Sequence, residues 1–94
     1  MHFAKAMNSV SAEVQRATKK FPTWPTDPLH ALAVLNEEVG ELNKAALQLT
    51  YEPGKVTLED MRIEAVQTAA MAMRFLMSIE SYQFQQSQQH KQGA

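Results

Sequence analysis

Apolar side chains recur at spacings of three and four along most of this chain, and only two proline-bearing stretches interrupt the pattern. That spacing places them on one face of a helix turning about 100° per residue, which limits the fold to helices packed on helices. In the first stretch Phe3, Met7, Val10, Val14, Ala17 and Phe21 form the seam. It ends at Phe21-Pro22, because the residue before a proline is pushed out of the α region. The break that follows, Pro22 to Asp27, closes with a helix start signal. Asp27 is placed to cap and Pro28 to occupy the first helical position.

A second helix is predicted from about Pro28 to Thr50 or Tyr51, with Leu32, Leu35, Val39, Leu42, Ala46 and Leu49 as its seam. Glu52-Pro53-Gly54-Lys55 reads as a turn. Thr57 followed by Glu59 and Asp60 then has the form of a capped start, with acids in the positively polarised first turn. The third helix carries Met61, Thr68, Met71, Phe75 and Ile79 on one face. With no glycine or proline to stop it, this helix is expected to reach the high 80s. Glutamine dominates from Gln83 onward, so residues 1–82 are read as one helical domain and 83–94 as a frayed or disordered tail.

The third helix is apolar nearly all round: Val66, Ala69, Met73, Leu76 and Met77 lie away from the face just described. A helix of that kind is buried. With only 94 residues to cover it, the expected architecture is an all-α helical bundle completed by oligomerisation, as a dimer or tetramer. The absence of cysteine excludes disulfides, thiolate metal sites and cysteine nucleophiles. A net charge of −1 supplies no general attraction to nucleic acid or to an anionic membrane. No segment has the length of a membrane span or the apolar core of a signal peptide, so a cytoplasmic setting is expected.

Two acidic clusters break the apolar pattern. Glu38 projects toward Leu35 and Leu42 and falls inside the seam of the second helix; Glu41 lies at its edge and Glu37 further out. On the third helix Glu64 is flanked by Met61, Thr68 and Met71, with Gln67 and Asp60 nearby on that side. A carboxylate on an apolar face is costly unless it is paired or binds a cation. If the two helices pack antiparallel, Glu38 and Glu41 face Glu64 and Gln67, a hard oxygen set suited to magnesium or manganese. A lysine or arginine partner, such as Arg62 or Arg74, is the other way to satisfy Glu64. The spacing of a calcium loop, of a zinc HExxH helix and of the di-iron Glu-x-x-His pair is absent.

At these residues the chain resembles the MazG-like, all-α nucleoside triphosphate pyrophosphohydrolases, whose signature is Glu-Glu-x-x-Glu on one helix and Glu-x-x-Asp on the next. The first motif stands complete as Glu37, Glu38 and Glu41. The second reads Glu64-x-x-Gln67, with glutamine in place of aspartate. The likeness spans roughly residues 24 to 80. It implies Mg2+-dependent hydrolysis of an NTP or dNTP to the monophosphate and pyrophosphate. By motif position it implies Glu38, Glu41 and Glu64 as metal ligands, Gln67 in the fourth ligand place, and Glu37 either contacting those ligands from behind or orienting water. An amide oxygen coordinates without charge and cannot serve as a base, so Gln67 implies weaker binding or fewer metals. Asp60, one turn before Glu64, is the nearest substitute.

Four further residues are candidates for substrate contact. Trp24 is placed either to stack on a base or to anchor its loop to the core. His30 sits in the first turn of the second helix, as a ligand contact or a surface histidine. Lys44 and Arg74 are placed to meet polyphosphate oxygens or to serve as surface charge or ion-pair partners. Against the hydrolase reading stands a non-catalytic helical oligomer that binds nucleotide or a protein partner.

Overall fold

The computed structural model describes residues 1–85. They form three helices, α1 (Phe3–Lys20), α2 (Pro28–Tyr51) and α3 (Leu58–Met77), followed by a 3-10 turn over Ile79–Ser81. Among the described residues there is no strand. No helix among them is long and apolar enough to cross a membrane.

The starts of α2 and α3 follow from their capping chemistry. The Asp27 carboxylate accepts the Leu29 N–H at 2.9 Å, and Pro28 opens α2 at the position where a missing N–H costs nothing. At the head of α3 the Thr57 hydroxyl accepts the Asp60 N–H at 3.1 Å, while the Asp60 carboxylate accepts the Thr57 N–H at 2.8 Å. This reciprocal box satisfies two donors that a helix end leaves open. It also holds the Asp60 carboxyl below its ordinary range through the bond from the Thr57 backbone. Between α2 and α3, Gly54 adopts a φ of 89°, a left-handed value that suits glycine and lets the chain reverse.

Helix α3 is the centre of the molecule. Both α2 and α1 pack on it, and α1 and α2 diverge without approaching each other closely. Where α1 meets α3, Ala17 and Ala70 are both buried, small side chains that let the helices come together; Met71 fills the junction. Val10, Val14, Trp24, Val34 and Leu35 pack around this cluster. The core is thin. The other buried apolar residues are Ala31, Ala45 and Tyr82, and no large side chain is fully buried among the described residues.

One boundary differs from the sequence expectation. Helix α3 stops at Met77 instead of continuing into the high 80s. The cause is tertiary. The Ser78 N–H lies between the Arg74 and Phe75 carbonyls at 3.2 and 3.3 Å, tightening the last turn. The chain then turns back so that the Tyr82 hydroxyl donates to the Phe75 carbonyl at 3.0 Å and its ring packs 5.0 Å from that of Phe75. The Gln83 N–H donates to the Thr26 carbonyl at 2.9 Å, joining this segment to the loop before α2. The rest of the glutamine-rich tail, residues 86–94, lies outside the described residues.

Candidate functional site

The antiparallel pairing of α2 with α3 brings the two acidic motifs together. The Thr68 hydroxyl lies 2.8 Å from the carbonyl oxygen of Glu64, one turn before it, and 3.1 Å from the carbonyl oxygen of Glu38 across the helix interface. That contact sets the register in which Glu38 and Glu64 confront each other. Both are half-buried, while Glu37 and Glu41 are exposed on the outer side of α2. This is the order of burial that the helical angles predict.

Glu38 carries the electrostatic signature of the site. Burial first, and then the charge of Glu64, push its carboxyl above the ordinary carboxylate range; Glu37, Glu41 and Glu13 add to the effect. Among the described residues no cation offsets this crowding. The ion pairs among the described residues join Arg16 to Glu13, Lys55 to Glu52 and Arg62 to Glu59, and none reaches Glu37, Glu38, Glu41 or Glu64. The alternative, a pairing of Glu64 with Arg62 or Arg74, is therefore not what the structure shows.

The donor chemistry of Glu38, Glu41, Glu64 and Gln67 suits a hard divalent cation, but only Glu38, Glu64 and Gln67 are half-buried, and Glu41 is exposed. Their placement is looser than a closed ligand set. Among the described residues no three acidic or histidine side chains stand close enough to hold a metal ion as they lie. Asp60 is exposed at the head of α3, with one carboxylate oxygen engaged in the helix cap.

Beside Glu38 a cavity of about 350 Å³ opens between the diverging helices α1 and α2, floored by Gln67, Met71 and Arg74 of α3. Glu38 and Gln67 thus line the cavity and belong to the acidic cluster at once. Trp24, Pro25 and Val34 supply apolar wall. Glu13 and Arg16 of α1 supply the charged rim, joined at 2.5 Å; this bond lowers the Glu13 carboxyl. Glu13 was absent from the sequence candidates. Its signal was present, because Glu13 stands three residues after Val10 and four before Ala17, inside the seam of α1.

Trp24 and Arg74 are tied into the fold. The Trp24 indole N–H donates to the Tyr82 hydroxyl at 2.9 Å, and the Arg74 guanidinium lies 4.9 Å from the indole ring centre, covering one face. Arg74 is buried, neither surface charge nor ion-pair partner. Its Nη2 donates to the Phe21 carbonyl at 2.7 Å and lies 3.5 Å from the Thr23 carbonyl, a cation placed on the open carbonyls at the C-terminus of α1. His30 and Lys44 are exposed on α2, and neither lines the cavity.

No family model matches the chain, and neither does any curated protein or solved structure.

Proposed function

We propose that the protein is a metal-dependent nucleoside triphosphate pyrophosphohydrolase, converting an NTP or dNTP to the monophosphate and pyrophosphate. The observation that carries this reading is the uncompensated crowding of Glu38 against Glu64, at the edge of a cavity walled by Trp24. The order of the two motifs, Glu37-Glu38-x-x-Glu41 before Glu64-x-x-Gln67, supports it through the resemblance to the MazG-like hydrolases.

In this reading Glu38, Glu41 and Glu64 hold the cation, with the Gln67 amide oxygen in the fourth place. A bound Mg2+ neutralises phosphate oxygens and lowers the pKa of water. Glu37, exposed beside Glu38, orients the attacking water and accepts its proton. The apolar wall of Trp24, Val34 and Met71 receives the nucleoside, and the free face of Trp24 stacks on the base. His30 and Lys44, on the exposed side of α2, are assigned to the polyphosphate, where water screens them most. Arg74 acts indirectly, by holding Trp24 and the end of α1 in place.

One observation favours the second reading, a non-catalytic oligomer that binds nucleotide or a protein partner. Trp24 and Arg74 both use hydrogen-bonding groups inside the fold, as structural residues do. Metal binding separates the two. With millimolar Mg2+ and a nucleotide whose α–β bridge cannot be cleaved, the hydrolase reading expects Tm to rise by mass action and the rise to vanish in Glu38→Gln and Glu64→Gln. An unchanged Tm with Mg2+ or Mn2+, with and without nucleotide, overturns it.

A further inference from the structure

Among the ion pairs of the described residues, the one on α1 is turned inward. Lys55–Glu52 and Arg62–Glu59 are open on both sides, as surface pairs are. In the Arg16–Glu13 pair the guanidinium side chain is 55% exposed and that of Glu13 only 14%. The Glu13 carboxylate therefore stands in the wall of the cavity beside Glu38, with Arg16 toward solvent. The metal ligands and the water-orienting Glu37 leave Glu13 without a task.

We propose that Glu13 is the specificity-determining residue of this cavity, accepting a hydrogen bond from the exocyclic amino group of a cytosine or adenine base. This assignment rests on the hydrolase reading and narrows its substrate to nucleotides with an amino-bearing base.

Arg16 is the positioning residue that holds Glu13 in the required form. Its Nε donates to one carboxylate oxygen at 2.9 Å and its Nη2 to the other at 2.5 Å. That fork keeps the Glu13 carboxyl below its ordinary range, so it is ionised and can only accept. Each oxygen has a further acceptor site, and no other hydrogen bond among the described residues claims it. Two strong donors on the cavity wall are spent within the fold: the Trp24 N–H on Tyr82, and Arg74 Nη2 on the Phe21 carbonyl. Once Glu38 is committed to the cation, Glu13 is the charged acceptor left to a base stacked on Trp24.

The chemistry of the bases then decides among them. The Glu13 charge reaches across the cavity, since it contributes to raising the Glu38 carboxyl. A base that turns a keto oxygen to this side sets acceptor against acceptor away from bulk water. Uracil and thymine present an N–H recessed between two keto oxygens, whereas the amino group of cytosine or adenine projects beyond its neighbours. Guanine offers two parallel donors, which need both carboxylate oxygens from one side. The Arg16 fork already occupies that side.

Initial rates of pyrophosphate release with Mg2+ test the assignment on two pairs of nucleotides that exchange amino for keto, dCTP with dUTP and dATP with dITP. The wild type is expected to favour the amino member of at least one pair by roughly 10- to 100-fold in kcat/KM, the scale set by one unmade bond in a closed site. Glu13→Gln, whose amide donates as readily as it accepts, should bring that ratio down to a few-fold. Arg16→Gln keeps the carboxylate and frees both oxygens, so dGTP should gain on dATP. Should Glu13→Gln fail to fold, the wild-type ratios and Arg16→Gln, altered at an exposed position, still decide. Equal rates within both pairs, a keto preference, or ratios that survive Glu13→Gln overturn the assignment and leave the hydrolase reading standing. So does a uniform loss of all rates in both variants with the ratios unmoved, the mark of a merely structural pair. No release from any nucleotide removes both readings.

Discussion

The Thr68 hydroxyl meets the Glu38 carbonyl oxygen at 3.1 Å, and among the described residues it is the side-chain hydrogen bond that joins α2 to α3. It sits at the level where the two acidic motifs face each other, so the register of the site depends on it. Thr68→Val keeps the shape and removes the hydroxyl. A loss of about 1 kcal/mol is expected in urea denaturation, the usual worth of such a bond. Thr68→Ser is expected to recover most of it. Equal stability of wild type and Thr68→Val would remove the bond from the account.

Glu38 gives the stability of the protein a pH dependence of definite sign. Its carboxyl is raised in the folded chain, so the folded state binds the proton more tightly than the unfolded one. The destabilisation is absent below the unfolded value, grows as pH rises through the folded one, and is complete at neutral pH. Glu38→Gln carries no charge to crowd. It is expected to raise Tm at pH 7 by at most a few degrees, because water screens a carboxylate this open. The advantage should disappear below about pH 4, where the wild-type carboxyl is protonated. A variant less stable than wild type at pH 7 contradicts the crowding.

Arg74 is expected to be a structural residue first. Arg74→Ala removes the bond to the Phe21 carbonyl and the cover on Trp24, and leaves a gap beside Met71. A loss of about 2–4 kcal/mol is expected, read by chemical denaturation. Arg74→Lys should recover only part of it, because an ammonium cannot both stack flat and reach two carbonyls. If Arg74→Ala kept full stability while weakening nucleotide binding, Arg74 would return to the substrate contacts.

Tyr82 links the end of the described chain to the cavity wall. Tyr82→Phe leaves the Trp24 indole N–H without its acceptor and removes the hydroxyl bond to the Phe75 carbonyl. A cost of about 1–3 kcal/mol is expected. Trp24 fluorescence should report a loosened loop before global unfolding. An unchanged Trp24 signal and midpoint would dissociate Tyr82 from the wall.

The starts of α2 and α3 and the two breaks were legible because their causes are local. Asp27 with Pro28, and Thr57 with Asp60, act within one turn of the residues they cap. The placement of Glu38 and Glu64 was legible for the same reason, since helical angles alone put them in the seams. The end of α3 was not. No glycine or proline marks it; it is set by Tyr82 turning back to Phe75 and Trp24. Arg74 was opaque on similar grounds, because its partners are backbone carbonyls 53 and 51 residues away, which no side-chain pattern announces. Glu13 was legible, because its spacing from Val10 and Ala17 places it inside the seam of α1.

The most direct measurement of the hydrolase assignment is pyrophosphate release from a panel of ribo- and deoxyribonucleoside triphosphates, with Mg2+ and Mn2+ compared and Glu38→Gln and Glu64→Gln as controls. The account predicts metal-dependent release of pyrophosphate and monophosphate from at least one nucleotide, lost by about 100-fold or more in both variants, the scale on which a ligand or general base contributes. No release from any nucleotide with either metal, or release that survives both substitutions, would contradict it.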